Sequence, residues 1–159
     1  MLTHKRLLLA LILLVFVLAA TALATAASPD PWRPIIPPPG DHVYTLAAAP
    51  EFASNRMLVA GTATGLYFSF DAGRTWPPRP PLLPTGYVDD ARKIVISPSY
   101  SQDQTIFVLA GLGSGPHRVL RSTDRGSTFQ QIWQGGSAYD LVLSPDFVHD
   151  GTVFLATGL

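Results

Sequence analysis

The chain contains no cysteine, one glutamate and two lysines. Without cysteine there is no disulfide to staple the fold in an oxidising compartment, no thiolate nucleophile and no zinc-thiolate centre, so stability has to come from packing. The scarce cations are mostly arginines scattered singly, read as solvated surface and loop residues. They offer no basic face of the kind that neutralises phosphates, which argues against a nucleic-acid partner. The histidines at positions 4, 42, 117 and 149 have no ligand spacing, so no metal is expected, and nothing calls for a cofactor. Helical periodicity is also missing: beyond the first 27 residues no window shows apolar recurrence at three and four positions.

What is present starts with an export pattern. His4, Lys5 and Arg6 precede the uncharged apolar run "LLLALILLVFVLAA" (7–20), and "TALATAAS" then offers small residues at Ala22, Ala24 and Ala26. Residues 1–27 therefore read as a signal peptide cut after Ala24, Ala26 or Ala27. The alternative is an N-terminal anchor, because the apolar stretch reaches 18 residues if counted to Ala24, near the ~20 that span a bilayer. Both readings place the remainder outside, secreted or extracytoplasmic, with membrane contact only through an uncleaved N-terminal segment. Losing Lys5 and Arg6 leaves nine Arg and Lys against eleven Asp and Glu.

Residues 28–40, "SPDPWRPIIPPPG", form a proline-rich linker. Proline lacks an amide donor and fixes φ, so the stretch is expected to run as an extended polyproline II tether ending at Gly40.

Beyond it the chain repeats itself. "SPSYSQDQTIFVLAG" (97–111) aligns without gaps on "SPDFVHDGTVFLATG" (144–158), and a looser copy, "APEFASNRMLVAG" (49–61), lies 48 positions before the former. Between these copies stand "SFDAGRTW" (69–76) and "STDRGSTF" (122–129). Self-similarity at such a period points to solenoids or propellers. The runs between the Pro, Gly, Asp and Ser punctuation are short and rich in β-branched and aromatic residues, as strands are. Four of them per period is the layout of a propeller blade. The expected fold is all-β, with blades of four antiparallel strands in units of about 41–85, 86–135 and 136–159. "HVYTLAAAP", "RMLVAG", "GLYFSF" and "GRTWPPR" would be the strands of the first.

The repeated phrase reads as a tight hairpin. Asp71 and Asp124 are expected to accept hydrogen bonds from amides about two residues on, as in an Asx turn. Gly73 and Gly126 would supply the positive φ. The hydroxyls of Ser69, Ser122, Thr75 and Thr128 would satisfy the other loose backbone groups, and Trp76 and Phe129 would enter the core.

On these residues the phrase resembles the Asp-box, or BNR repeat, of sialidases, sortilin-type receptor ectodomains and secreted bacterial propellers. The "SPxF/YxxD" segment with its apolar strand resembles the blade openings of bacterial proteins related to photosystem II assembly factor propellers. The resemblance spans roughly residues 41–159 and implies a structural role for Ser69, Asp71, Gly73, Thr75, Trp76, Ser122, Asp124, Gly126, Thr128 and Phe129, with no catalytic residue among them. A sialidase would need three arginines for a carboxylate, a tyrosine with a glutamate partner, and an acid aspartate. Arg33 in "WRPII" is faintly similar to the first arginine segment, but its order and prolines differ. Glu51 has no tyrosine brought near it by the sequence, among Tyr87, Tyr100 and Tyr139.

Other candidates read as structural. Asp89 and Asp90 are adjacent and would point to opposite sides of a strand. Asp103 and Asp150 recur in register, which suits turn capping, and the glycine-rich "GLGSGPH" (111–117) lacks the lysine of a phosphate loop. About two and a half blades cannot close a ring of four to eight. The expectation is a fragment of a longer protein, or copies that complete one another through an open blade edge. Functionally, the expectation is an exported, non-catalytic module that binds or scaffolds a protein or glycan. The alternative is a fragment of a sialidase-like glycoside hydrolase whose other catalytic residues lie in missing blades.

Overall fold

The structure is a computed structural model, and residues 34–39, 42–77, 90–111 and 115–158 are described. The signal or anchor segment, Arg33, Tyr87 and Asp89 lie outside them. The described chain is mostly β, in three antiparallel sheets. The first is β1 (Val43–Ala48), β2 (Leu58–Thr62) and β3 (Gly65–Ser69), in the order β1-β2-β3. The second is β4 (Ala91–Ile96), β5 (Ile106–Gly111), β6 (His117–Ser122) and β7 (Gln130–Gly135), a meander in the order β4-β5-β6-β7. The third pairs β8 (Ala138–Leu143) with β9 (Val153–Thr157). No helix among the described residues is long and apolar enough to cross a membrane.

The four strands expected in the second period and the two in the third are present. The first period differs, because "GRTW" forms no strand and residues 78 and 79 of that phrase lie outside the described region. Pro77 follows Trp76 directly, and a proline withholds a ladder donor where a fourth strand would begin.

Between the first two strands of each sheet the chain makes one helical turn: α1 (Phe52–Asn55), α2 (Tyr100–Asp103) and α3 (Phe147–Asp150). Four residues are too few to show a 3.6-residue period, so nothing in the apolar pattern announces them. Each ends on a residue in the left-handed region, Arg56 and Gln104 at φ 54° and Gly151 at φ 59°, whose N–H returns to the carbonyl of the turn's first residue. Only the third site carries the glycine that this conformation favours. The aspartates at the end of α2 and α3 close the turns. Ser97 Oγ donates to Asp103 Oδ2 at 2.5 Å and Thr105 N–H to its Oδ1 at 2.9 Å, and Ser144 and Thr152 treat Asp150 the same way at 2.5 and 2.8 Å. In the looser first copy Asn55 Oδ1 still accepts from Met57 N–H at 2.9 Å, while Ala49 has no hydroxyl to offer. The strand pairs carry an irregularity at matching places too, between Val43 and Thr45, Ala91 and Lys93, and Ala138 and Asp140.

The sheets pack through their faces. On β5, Ile106, Val108 and Ala110 join Val59, Leu66 and Phe68 of the first sheet and the adjoining Met57 in one core, whereas Phe107 and Leu109 join Leu141 and Leu143 of the third sheet and Phe147 of α3 in another. Every residue of β5 is buried, which is why "IFVLAG" reads as a continuous apolar run with no polar alternation. Backbones approach closely at the first junction: a Cβ on Gly61 would stand 2.4 Å from the Ala91 carbonyl oxygen. On the first sheet's other side Leu58, Ala60 and Trp76 form a small cluster. Part of the proline-rich stretch lies there: Trp76 Nε1 donates to the Ile36 carbonyl at 2.8 Å, and Pro38 is buried.

Candidate functional site

The two copies of the repeated phrase have nearly superimposable wiring. Ser69 Oγ donates to Asp71 Oδ1 at 2.7 Å and accepts from Gly73 N–H at 2.8 Å; Ser122 Oγ does so with Asp124 and Gly126 at the same distances. Asp71 Oδ1 accepts from Thr75 N–H at 2.9 Å and its Oδ2 from the Thr75 hydroxyl at 2.7 Å, and Asp124 holds Thr128 at 2.9 and 2.6 Å. Two details correct the Asx-turn expectation. The amides captured lie three or four residues on, Arg74 and Thr75 in the first copy, because the interposed serine hydroxyl takes the glycine N–H. The threonine hydroxyls serve the carboxylate, whose second oxygen is otherwise left with empty acceptor sites.

Gly73 and Gly126 have φ of 85° and 78°, as a reversal requires. Ala72 and Arg125, one position earlier, also have positive φ, 61° in both, which neither residue type advertises. Their N–H groups explain it: Ala72 donates to Arg56 O at 3.0 Å and Arg125 to Gln104 O at 3.3 Å, fastening the phrase to the end of the preceding helical turn. Trp76 is buried, whereas Phe129 is half-buried and packs against the rim of the first core. The second copy also closes the β6–β7 hairpin.

These bonds hold both carboxyls far below the ordinary carboxylate range, at about 2 for Asp71 and for Asp124, chiefly through the threonine hydroxyl, then the threonine N–H and the serine hydroxyl. A carboxyl whose pKa is lower folded than unfolded adds stability that is complete above its unfolded value of 3.8 and is lost as pH falls through the folded value near 2. The urea midpoint is therefore expected to fall between pH 4 and pH 2. The Asp71→Asn, Asp124→Asn double variant should be less stable at pH 7 and flatter across that window. An unchanged slope in the variant would mean that other groups carry the acid sensitivity.

Two clefts flank the second sheet's helical turn and strands. One, of about 340 Å³, is lined by Glu51, Asn55, Met57, Tyr100, Ser101 and Arg125 among others. Here Glu51 Oε1 accepts from Ser101 N–H at 3.3 Å, and its buried Oε2 makes no hydrogen bond. The other, of about 640 Å³, includes Asp103, Thr105, Arg121, Phe147 and Asp150, so it places matching repeat positions between the second and third sheets. No protein-family model, curated protein or solved structure matches the chain. The chemistry of the site thus stands on its geometry.

That geometry brings Glu51 and Tyr100 to one cleft, which the sequence could not do, and adds Arg125, which sequence reasoning did not single out. Tyr139 stays apart, exposed on β8. Asp90 sits 3.4 Å from Arg92 in an ion pair. His117 is buried and accepts the Ala138 N–H on Nδ1 at 3.1 Å, a structural link into the third sheet. Gly111 pairs with His117 at the end of the β5–β6 hairpin. Among the described residues no group of three or more His, Asp or Glu is placed to hold a metal ion.

Proposed function

We propose that the chain is an exported, non-catalytic module built of Asp-box propeller blades, which binds or scaffolds a protein or glycan outside the membrane. The observation that carries this reading is the use of the repeated acids: Asp71, Asp124, Asp103 and Asp150 are each engaged by two or more hydrogen bonds that hold a turn. Acids spent in this way position backbone and have little capacity left for proton transfer. The blade reading is supported by the four-stranded meander of the second sheet and by the first strands of the sheets lying side by side, β4 against β1 and β8 against β4. One four-stranded blade with a three-stranded and a two-stranded one beside it would make an incomplete ring. The N-terminal basic and apolar segment supports export.

One observation favours a sialidase-type hydrolase as a second reading: Glu51, Tyr100 and Arg125 line a single cleft. It holds one arginine where such chemistry draws on three. Incubation with a fluorogenic sialoside separates the readings. No turnover is expected; turnover abolished by Glu51→Gln would replace the binding module with an enzyme.

A further inference from the structure

The cleft of about 340 Å³ is lined by two side chains of opposite charge that do not pair with each other. Glu51 stands at the start of α1 and reaches across to α2, where its Oε1 accepts one long hydrogen bond, 3.3 Å, from Ser101 N–H. Its Oε2 is buried and makes none. An ionised carboxyl offers about four acceptor sites, so this one is short of donors, and the shortage is costly where water is excluded. Arg125 comes from the second copy of the repeated phrase, its root fixed by the left-handed backbone at φ 61° and by the N–H bond to Gln104 O. It is exposed, and it forms no ion pair with Glu51 or any other acid among the described residues. Met57 and Tyr100, both buried, and Phe70, 49% exposed, give the cleft an apolar wall.

We propose that this cleft binds a small zwitterion, an α-amino acid with an apolar side chain, whose ammonium donates to the Glu51 carboxyl and whose carboxylate accepts from the Arg125 guanidinium. Each charge excludes a class of alternatives. A simple carboxylate would meet Arg125 but be repelled by Glu51, and a simple amine would meet Glu51 but be repelled by Arg125. A neutral sugar could supply hydroxyl donors, yet hydrogen bonds to ionised partners are roughly twice as strong, and both polar ends of this site are ionic. Arg125 adds a planar fork that takes both oxygens of a carboxylate. The volume lies near the lower end of the roughly 300–1,000 Å³ of small-molecule sites, which suits a monomer over a segment of polymer. Such a site goes beyond the binding of a protein or glycan proposed above and stands independently of it.

Equilibrium dialysis of the full chain against labelled L-leucine tests the proposal, with isopentylamine, isocaproic acid and methyl galactoside as competitors. Leucine should bind at one site per chain, and none of the three competitors should displace it. Glu51→Gln keeps the side-chain shape and the oxygen that Ser101 bonds, and Arg125→Asn keeps a residue type that tolerates the left-handed backbone. Each should weaken leucine binding by about tenfold or more, with circular dichroism unchanged from the wild type. Arg125→Lys should fall between, since it keeps the charge and loses the fork. Absence of leucine binding to the wild type would overturn the proposal. So would leucine binding indifferent to both Glu51→Gln and Arg125→Asn, or displacement by the amine, the acid or the sugar as readily as by leucine itself. If a variant failed to fold, the competition on the wild type would decide alone. A protein or glycan bound elsewhere on the module leaves every one of these outcomes unchanged.

Discussion

Gly126→Ala is expected to destabilise the fold by about 3 kcal/mol, a large part of the total for a domain of this size. Two effects add. At φ 78° a residue with a Cβ pays roughly 1–2 kcal/mol in backbone strain. The new methyl would also stand 2.4 Å from Phe68 Cζ and 2.9 Å from its Cε1, and Phe68 is fully buried in the first core. Overpacking of that kind costs about 1–3 kcal/mol. Gly151→Ala provides the control, because φ is 59° there and nothing lies within 4 Å of the added atom, leaving the backbone term of about 1 kcal/mol. Gly73→Ala should fall between them, since the nearest atom is Ile35 Cδ1 at 2.7 Å, the far end of a flexible side chain. Urea unfolding of the three variants decides the matter, and equal losses in all of them would show that the ring of Phe68 yields.

Phe107→Ala should cost about 3–5 kcal/mol, as truncation of a fully buried aromatic does. Phe154→Ala removes the same side chain from the same repeat position and should change stability by no more than about 0.5 kcal/mol, because the ring is mostly in water. If the two losses were similar, the second and third sheets would not be packed as described, and the difference in exposure would have no energetic meaning.

Much of the strand layout was legible because its causes are local. The apolar run of β5, the turn residues of the repeated phrase and the 47- and 48-residue offsets all appear in residue type and spacing. The helical turns did not, since four residues carry no period. Left-handed conformations at Arg56, Ala72, Gln104 and Arg125 were equally hidden, because what holds them is a hydrogen bond to a carbonyl 16 to 21 positions away, or the closure of a turn, and neither asks for a particular side chain. Threonine's role was misplaced for a related reason. Its hydroxyl was assigned to backbone when a carboxylate oxygen stood nearer. The Glu51–Tyr100–Arg125 cleft depends on contacts between successive sheets, and residue order alone does not bring such groups together.

β5 is covered on both faces and paired along both edges, with β4 and with β6. Its amide protons can meet solvent only when the cores on both sides have opened, so they should be the last in the chain to exchange with deuterium. The molecule is thus held from its middle, and its slowest clock runs in the six residues from Ile106 to Gly111.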